Sequence, residues 1–547
     1  MNTHASRESS SQSPGNVSPE SLVEVVETYL TAHPAAAVLE DGGVLFDMRA
    51  ARYSLTLAHG RCLLQLWSEE RNLVRTIVEA QLRSGCLRLM TRRMGVTKPL
   101  ALELVPNSDR RTPTARDLAR RQYLRLLERV LTRQFPDWKT DGFRSAADLE
   151  HSFGPAYARG QLLRGGHGLA AEAVIGVGSE ESAATVDGVL TLGLLWLDYC
   201  RGHAVGKSAR NRHYGGLRVI VPAGMTQTTA ERMAWLNRNA ASFQLFALDE
   251  RSEELTEIDL EDSGNTASRL LHAFDVEAAL ERAQAGVERV LTLVPEQAAG
   301  RVEVRARSAT EVGLMLHGLE FARVRQLASS QSFARQEEIT FGAGANETPL
   351  NEESEALCRT LLEKLFQSRQ AEGTRNDPLF RLQSERWLES QIRTRLPEIL
   401  PTLRTEFLYT QVPAMATGDR GMLDLLTVDR DGRLVILEVK AEEDMHLPLQ
   451  GLDYWIRVRA LHADRRAEAG RFAGEAVGAF TRNGYFSGVS LSPDPPKLLF
   501  VAPALRVHPA NETVLKYLAP AVDWELLAVG EEWRRELKTV FRKRRER

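Results

Sequence analysis

The sequence predicts an α/β protein that begins with a small β-rich domain. Three observations carry that expectation. Strand-like and helix-like segments alternate over residues 170–248, and the same order recurs over 434–529. Residues 44–106 alternate and turn as β-strands do. At 547 residues the chain exceeds what one core organises, so several domains are expected. Its 43% hydrophobic and 26% charged residues are those of an ordinary globular protein. The formal net charge of −3 excludes a global basic field, so contact with a polyanion has to come from local patches. Cys62, Cys86, Cys200 and Cys358 lie far apart, without the spacing of a zinc site or a disulfide framework, which suits a reducing cytoplasm. No uninterrupted apolar stretch is of bilayer-spanning length, and the start lacks a basic-then-apolar signal pattern. A cytoplasmic protein without membrane contact is expected.

Taken in order, residues 1–19 are Ser-rich and polar and read as a disordered tail. A short helix over 22–31 leads into the β-rich domain, 20–106, with His59-Gly60 as a hairpin tip. A binding or dimerisation module and a plain packing module both fit this domain, and a homo-oligomer would form through it. Residues 114–135 form a helix with Leu118, Leu126, Leu127 and Leu131 as core candidates. Its arginines (Arg116, Arg120, Arg121, Arg125 and Arg129) face either nucleic acid or solvent and neighbouring acids. The α/β segment, 107–250, follows with strands at 170–177, 217–222 and 243–248 and helices at 186–200 and 229–240. Residues 251–350 connect, ending in a loop-rich linker at 341–354, and an amphipathic helix at 355–370 opens the last domain, 351–547. Residues beyond 531 read as a basic helical tail. Both α/β segments carry a strand ending in proline (IVPAG, FVAPA), then a helix and a final strand, so the first is expected to be a degenerate copy of the second. AVIGVGSEE stands in the first where LEVKAEE stands in the second.

The chemistry-bearing stretch is 418–454. Two apolar runs, 422–428 and 434–440, flank Asp429-Arg430-Asp431-Gly432-Arg433 and read as a hairpin. Symmetry about Asp431 sets Asp424 opposite Glu438, and strand alternation puts Lys440 on the face of Glu438. Carboxylates so placed lie about 5 Å apart and repel, so a divalent cation would relieve them. Upstream, residues 384–396 form a helix with Ser384 as N-cap, and Glu385, Glu389, Ile392 and Leu396 share one stripe. Glu389 is the acid that points at the strands, with Glu385 one turn earlier as the alternative, and an ion pair with Arg386 or Arg393 as the bland reading. Downstream, Gln450 and Tyr454 pair on one helix face.

The order Glu389, Asp424, Glu438-Val439-Lys440, Gln450-x-x-x-Tyr454 resembles the PD-(D/E)XK nuclease superfamily, and the QxxxY element is similar to its RecB-like branch. LESQIRTRLPEIL followed by GMLDLLTVDRDGRLVILEVK looks like the nuclease domain of the NucS endonucleases. The likeness covers residues 380–529, and Leu423 stands where a proline is usual. It implies a restriction-endonuclease-like fold, a mixed central sheet flanked by helices. It also implies Mg²⁺ or Mn²⁺ on Asp424, Glu438, the Val439 carbonyl and Glu389. Lys440 would orient the attacking water and steady developing charge, with Gln450 and Tyr454 positioning substrate. The implied activity is metal-dependent endonucleolytic hydrolysis of DNA in repair or in defence against foreign DNA. The alternative is a non-catalytic nucleic-acid-binding or scaffold protein with a vestigial site.

Overall fold

Period-two and helical segments sort the chain into a mixed α/β architecture. The computed structural model describes residues 18–545 except 41–42, 49–50, 59, 69–71, 84–85, 93–98, 107–112, 149, 165–169, 204–211, 262–268, 329–334, 344–347, 417–418 and 468–475. The expected tail, 1–19, thus lies outside the described residues but for Ser18 and Pro19, which cap and open a helix. Two units emerge, each assembled from two separate stretches: 1–110 with 276–383, and 111–275 with 384–547.

In the first unit, a seven-stranded sheet carries the helix Pro19–Ala32. Leu22, Val26, Tyr29 and Leu30 of that helix are buried in the core shared with the sheet. Ser18 caps it by accepting the Ser21 N–H at 3.3 Å, and the Tyr29 hydroxyl donates to the Leu104 carbonyl at 2.8 Å. The second stretch supplies a five-stranded antiparallel meander from Val302–Ser308 to Thr348–Pro349. The expected linker at 341–354 therefore contains a strand, with Phe341 opposite Thr348; residues 344–347 of it lie outside the described residues. Helix Glu355–Ser368, expected to open the last domain, packs instead on this meander through Cys358, Leu362, Leu365 and Phe366. The buried Arg369 guanidinium fixes that arrangement by donating to the carbonyls of Leu316, His317, Leu379 and Leu382.

The second unit holds the site. Its first stretch contributes α1 (Pro113–Gln134), β1 (Lys139–Arg144), β2 (Tyr157–Arg164), β3 (Ala170–Val177), α2 (Val189–His203), β4 (His213–Pro222), α3 (Gln227–Met233), β5 (Ser242–Asp249), β6 (Glu254–Ile258) and β7 (Arg269–Leu270). Its second stretch contributes α4 (Ser384–Thr394), β8 (Tyr409–Ala416), β9 (Asp419–Val428), β10 (Leu434–Val439), α5 (Leu447–Ala463), β11 (Lys497–Pro503), α6 (Pro509–Lys516), β12 (Asp523–Val529) and β13 (Thr539–Arg544). One sheet runs β1-β2-β3-β4-β5-β6, the other β7-β8-β9-β10-β11-β12-β13. From β1 in the first sheet and from β8 in the second, two antiparallel pairings are followed by two parallel ones and a final antiparallel one, and β7 adds a further antiparallel pairing at the edge of the second sheet. Helices α2, α3, α5 and α6 share one apolar core with both sheets. Residues Ala183–His203 are the one helical span among the described residues long and apolar enough to cross a membrane, but most of its apolar window is buried in this core.

Several sequence expectations change here for physical reasons. In α1, Leu127 and Leu131 are buried but Leu118 is 57% exposed, because the helix lies on the sheet only through its later turns. Of its arginines, Arg120 pairs with Glu181 at 2.7 Å and Arg129 pairs with Glu253. The basic tail is a strand, not a helix. Its alternate residues Arg542 and Arg544 turn to the buried Glu525, whose carboxyl Lys497 also holds at 2.7 Å, while Lys543 turns the other way to Glu512. Pairing with β12 covers what would be an open sheet edge. All four cysteines are free thiols.

Candidate active site

The hairpin β9–β10 is closed by Asp429, whose carboxylate accepts the N–H groups of Asp431 and Arg433 at 3.0 and 2.9 Å. Gly432 takes φ +80°, a conformation side chains avoid. The turn locks the ladder with Val428 opposite Leu434 and Leu425 opposite Leu437, symmetric about Asp431. Residues 425–428 and 434–439 are all buried, as in a strand pair covered on both faces. One step past the ladder, Asp424 turns its Oδ2 to the Val439 N–H at 3.0 Å. The same step brings up Glu438, which is 3% exposed. Its Oε2 is buried and has no hydrogen-bond partner among the described residues. Lys440 follows the end of β10, its N–H donating to the Val501 carbonyl at 3.0 Å.

Helix α4 brings two glutamates to this end of the sheet, and they differ in role. Ser384, expected as its cap, is its first residue. Glu389 is 2% exposed and accepts Arg386 Nη1 at 2.7 Å; the same nitrogen lies 3.9 Å from Asp424 Oδ1. Glu385 instead lies 3.5 Å from Lys440 Nζ. That ammonium is also 3.9 Å from Glu438 Oε1 and 3.9 Å from Asp444 Oδ2. Five carboxylates (Glu385, Glu389, Asp424, Glu438 and Asp444) thus share two cations, Arg386 and Lys440. Arg386 and Asp444 are members that sequence reasoning did not assign to the site. Their signals were present: Arg386 precedes Glu389 by three on the helix, and Asp444 follows Lys440 by four in the acidic run after the strand.

Burial and the excess of acids shift the proton affinities of Asp424, Glu438, Glu385 and Lys440. Burial, then the Glu389 charge, push the Asp424 carboxyl up to about 6. Burial and then Asp424 raise Glu438 well above the ordinary carboxyl range. Burial also raises Glu385, against the pull of Lys440. For Lys440 burial works against its charge, but Glu385, Glu438 and Asp444 outweigh it, and the ammonium is held more firmly than usual. Tyr454 projects from α5 toward the acids. Burial, then Glu438 and Asp424, raise its phenol, so it stays protonated and able to donate. Gln450, one turn earlier, is half-buried, and its amide makes no side-chain hydrogen bond among the described residues.

Among the described residues no three His, Cys, Asp or Glu side chains form a metal-holding group. The donor set nonetheless fits a hard divalent cation in its chemistry. It offers oxygen ligands, an unpartnered buried carboxylate oxygen, and two acids that burial and then a neighbouring carboxylate make hold their protons more tightly than usual. Asp424 and Glu438 would hold such an ion. Glu389 is engaged by Arg386 and would have to exchange that partner to join them. The chain matches no model of a known protein family and none of the curated proteins.

Proposed function

We propose that the chain is a metal-dependent endonuclease of PD-(D/E)XK type that hydrolyses phosphodiester bonds in DNA. The last α/β half would then be a restriction-endonuclease-like domain. The observation that carries this reading is the buried Glu438 carboxylate, its Oε2 without a hydrogen-bond partner among the described residues, beside Asp424 at the end of the β9–β10 ladder and with Lys440 against its other oxygen. Uncompensated buried charge is costly, and a site that retains it has a use for a cation. Mg²⁺ or Mn²⁺ bound there would neutralise the scissile phosphate and acidify a water molecule. Lys440, kept protonated by its acidic neighbours, would orient that water and donate to the phosphate oxygens as charge builds. Tyr454 and Gln450 would position the backbone from α5, and Arg386 would offset the repulsion between Asp424 and Glu389 until the ion enters.

A second reading, a nucleic-acid-binding or scaffold protein with a vestigial site, draws on the same Arg386, whose guanidinium stands where a cation would serve Glu389 and Asp424 together. One experiment separates the two. Purified protein is incubated with single-stranded, double-stranded and branched DNA and Mg²⁺ or Mn²⁺, beside Asp424→Ala and Lys440→Ala. Cation-dependent cleavage lost in both variants supports the nuclease. Cleavage that survives both, or none by the unaltered protein, overturns it.

A further inference from the structure

The two halves of the second unit can be matched residue by residue from their hydrogen-bond registers. β4 and β11 both end in proline, Pro222 and Pro503. Two residues before each, Ile220 faces Gly176 of β3 and Val501 faces Val439 of β10. Gly176 and Val439 therefore occupy one position, which sets Ile175 in the place of Glu438 and Val177 in the place of Lys440. Across the neighbouring strand, Ile175 faces Arg159, as Glu438 faces Asp424 when the β9–β10 ladder is extended by one step. The central helices align through a close approach. A Cβ on Gly193 would lie 3.1 Å from Leu217, and one on Gly451 3.3 Å from Leu498, each leucine five residues before its proline. Trp196 then stands where Tyr454 stands.

Where the second half gathers Asp424, Glu438, Lys440 and Tyr454, the first half therefore has Arg159, Ile175, Val177 and Trp196. Arg159 is 1% exposed, its guanidinium carbon 4.6 Å from the Phe153 ring centroid and 5.8 Å from that of Trp196. These positions present apolar and aromatic side chains around a buried positive charge, which repels a metal ion.

The contact between the halves is reciprocal. Leu236 bridges Leu518 antiparallel; the Asn237 N–H donates to the Tyr517 carbonyl at 2.8 Å and the Ala519 N–H to the Trp235 carbonyl at 2.7 Å. Arg201 lies over the Tyr517 ring and Arg459 over the Trp235 ring, each arginine eight residues beyond its matched glycine. Residue i touching j while j's counterpart touches i's counterpart is the mark of a two-fold interface, normally made by two copies of one chain. Here one chain makes it with itself.

We infer that this unit is a tethered pair of homologous halves with a single reaction centre, so that each productive encounter breaks one DNA strand and leaves a nick. The inference rests on the proposed nuclease reading. The step it specifies is one hydrolysis: water adds to phosphorus, one backbone P–O bond breaks, and the departing oxygen takes a proton. The test is a time course on supercoiled plasmid with Mn²⁺ and the full chain. Open circles are expected to accumulate first, with linear DNA following only as second, independent nicks. Linear DNA formed from supercoiled DNA without an open-circle phase overturns the single-centre inference but keeps the nuclease. No conversion with Mn²⁺ or Mg²⁺ overturns the nuclease reading and this one with it. A readout independent of cleavage is Mn²⁺ bound to the full chain, followed by electron paramagnetic resonance. Bound Mn²⁺ is expected to vanish in Glu438→Gln and to persist in Trp196→Phe; Mn²⁺ retained by Glu438→Gln would overturn the assignment of one centre.

Discussion

Asp424→Asn removes a charge and almost nothing else. The amide keeps the side-chain shape and an oxygen to accept the Val439 N–H now held at 3.0 Å. The native carboxyl is pushed from an ordinary 3.8 up to about 6, first by burial and then by Glu389. An acid raised on folding means that the native state keeps a proton the unfolded chain has released. Native stability therefore falls as pH climbs from about 4 through 6 and stays low above it. A rise of roughly two in pKa corresponds to ~3 kcal/mol. The Asp424 side chain keeps 22% of its exposure, so relaxation and water bring the expected cost to ~1–3 kcal/mol. Without divalent metal, Asp424→Asn should be the more stable protein at pH 8 by that amount, and by about half of it at pH 5. Hydrogen exchange of the β9 and β10 amides measures the difference locally, which avoids treating two units as one transition. Adding Mn²⁺ should stabilise the unaltered protein and leave the variant unmoved. A variant that is no more stable at pH 8, or whose advantage does not change with pH, would refute the reasoning.

Three further outcomes are expected. Gly451→Ala forces a methyl into the Phe500 ring in the core and should cost ~1–3 kcal/mol in urea unfolding. Arg232→Ala leaves Asp453 without the paired bonds at 2.8 and 2.7 Å that join α3 to α5. Because Asp453 is one-fifth exposed, the loss should be ~2 kcal/mol, below that of a fully buried pair. Glu389→Gln should weaken Mn²⁺ binding more than Glu385→Gln, whose carboxylate serves Lys440; the reverse order in a calorimetric titration would exchange their roles.

Much of the second unit was legible because its signals are local. The β9–β10 register follows from one turn, Asp429 to Arg433, and the burial of 434–439 from an unbroken apolar run. Strands β2 and β13 were not legible. β2, YARGQLLR, breaks its apolar pattern with an arginine and a glycine that tertiary contacts with Phe153, Phe143 and Trp196 explain. β13 hid as a basic tail because its partners, Glu525 and Glu512, lie far away in sequence. The same holds within the site. Asp424, Glu438 and Lys440 share one hairpin and could be placed by parity, whereas the division of labour between Glu385 and Glu389 depends on how α4 lies across the strand ends. Helix Glu355–Ser368 joined the first unit because its apolar stripe says only that it packs, and Arg369 decides where.

The central claim is tested most directly by the initial rate of DNA strand cleavage in Mg²⁺, measured side by side for the unaltered chain and Lys440→Met. The variant keeps Asp424 and Glu438, and with them the oxygen ligands, but lacks the ammonium 3.9 Å from Glu438. The unaltered chain is expected to cleave, chelator to abolish the activity, and Lys440→Met to be slower by about 10²–10³-fold while still binding Mn²⁺. Equal rates for the two proteins, or cleavage that persists in chelator, would contradict the account.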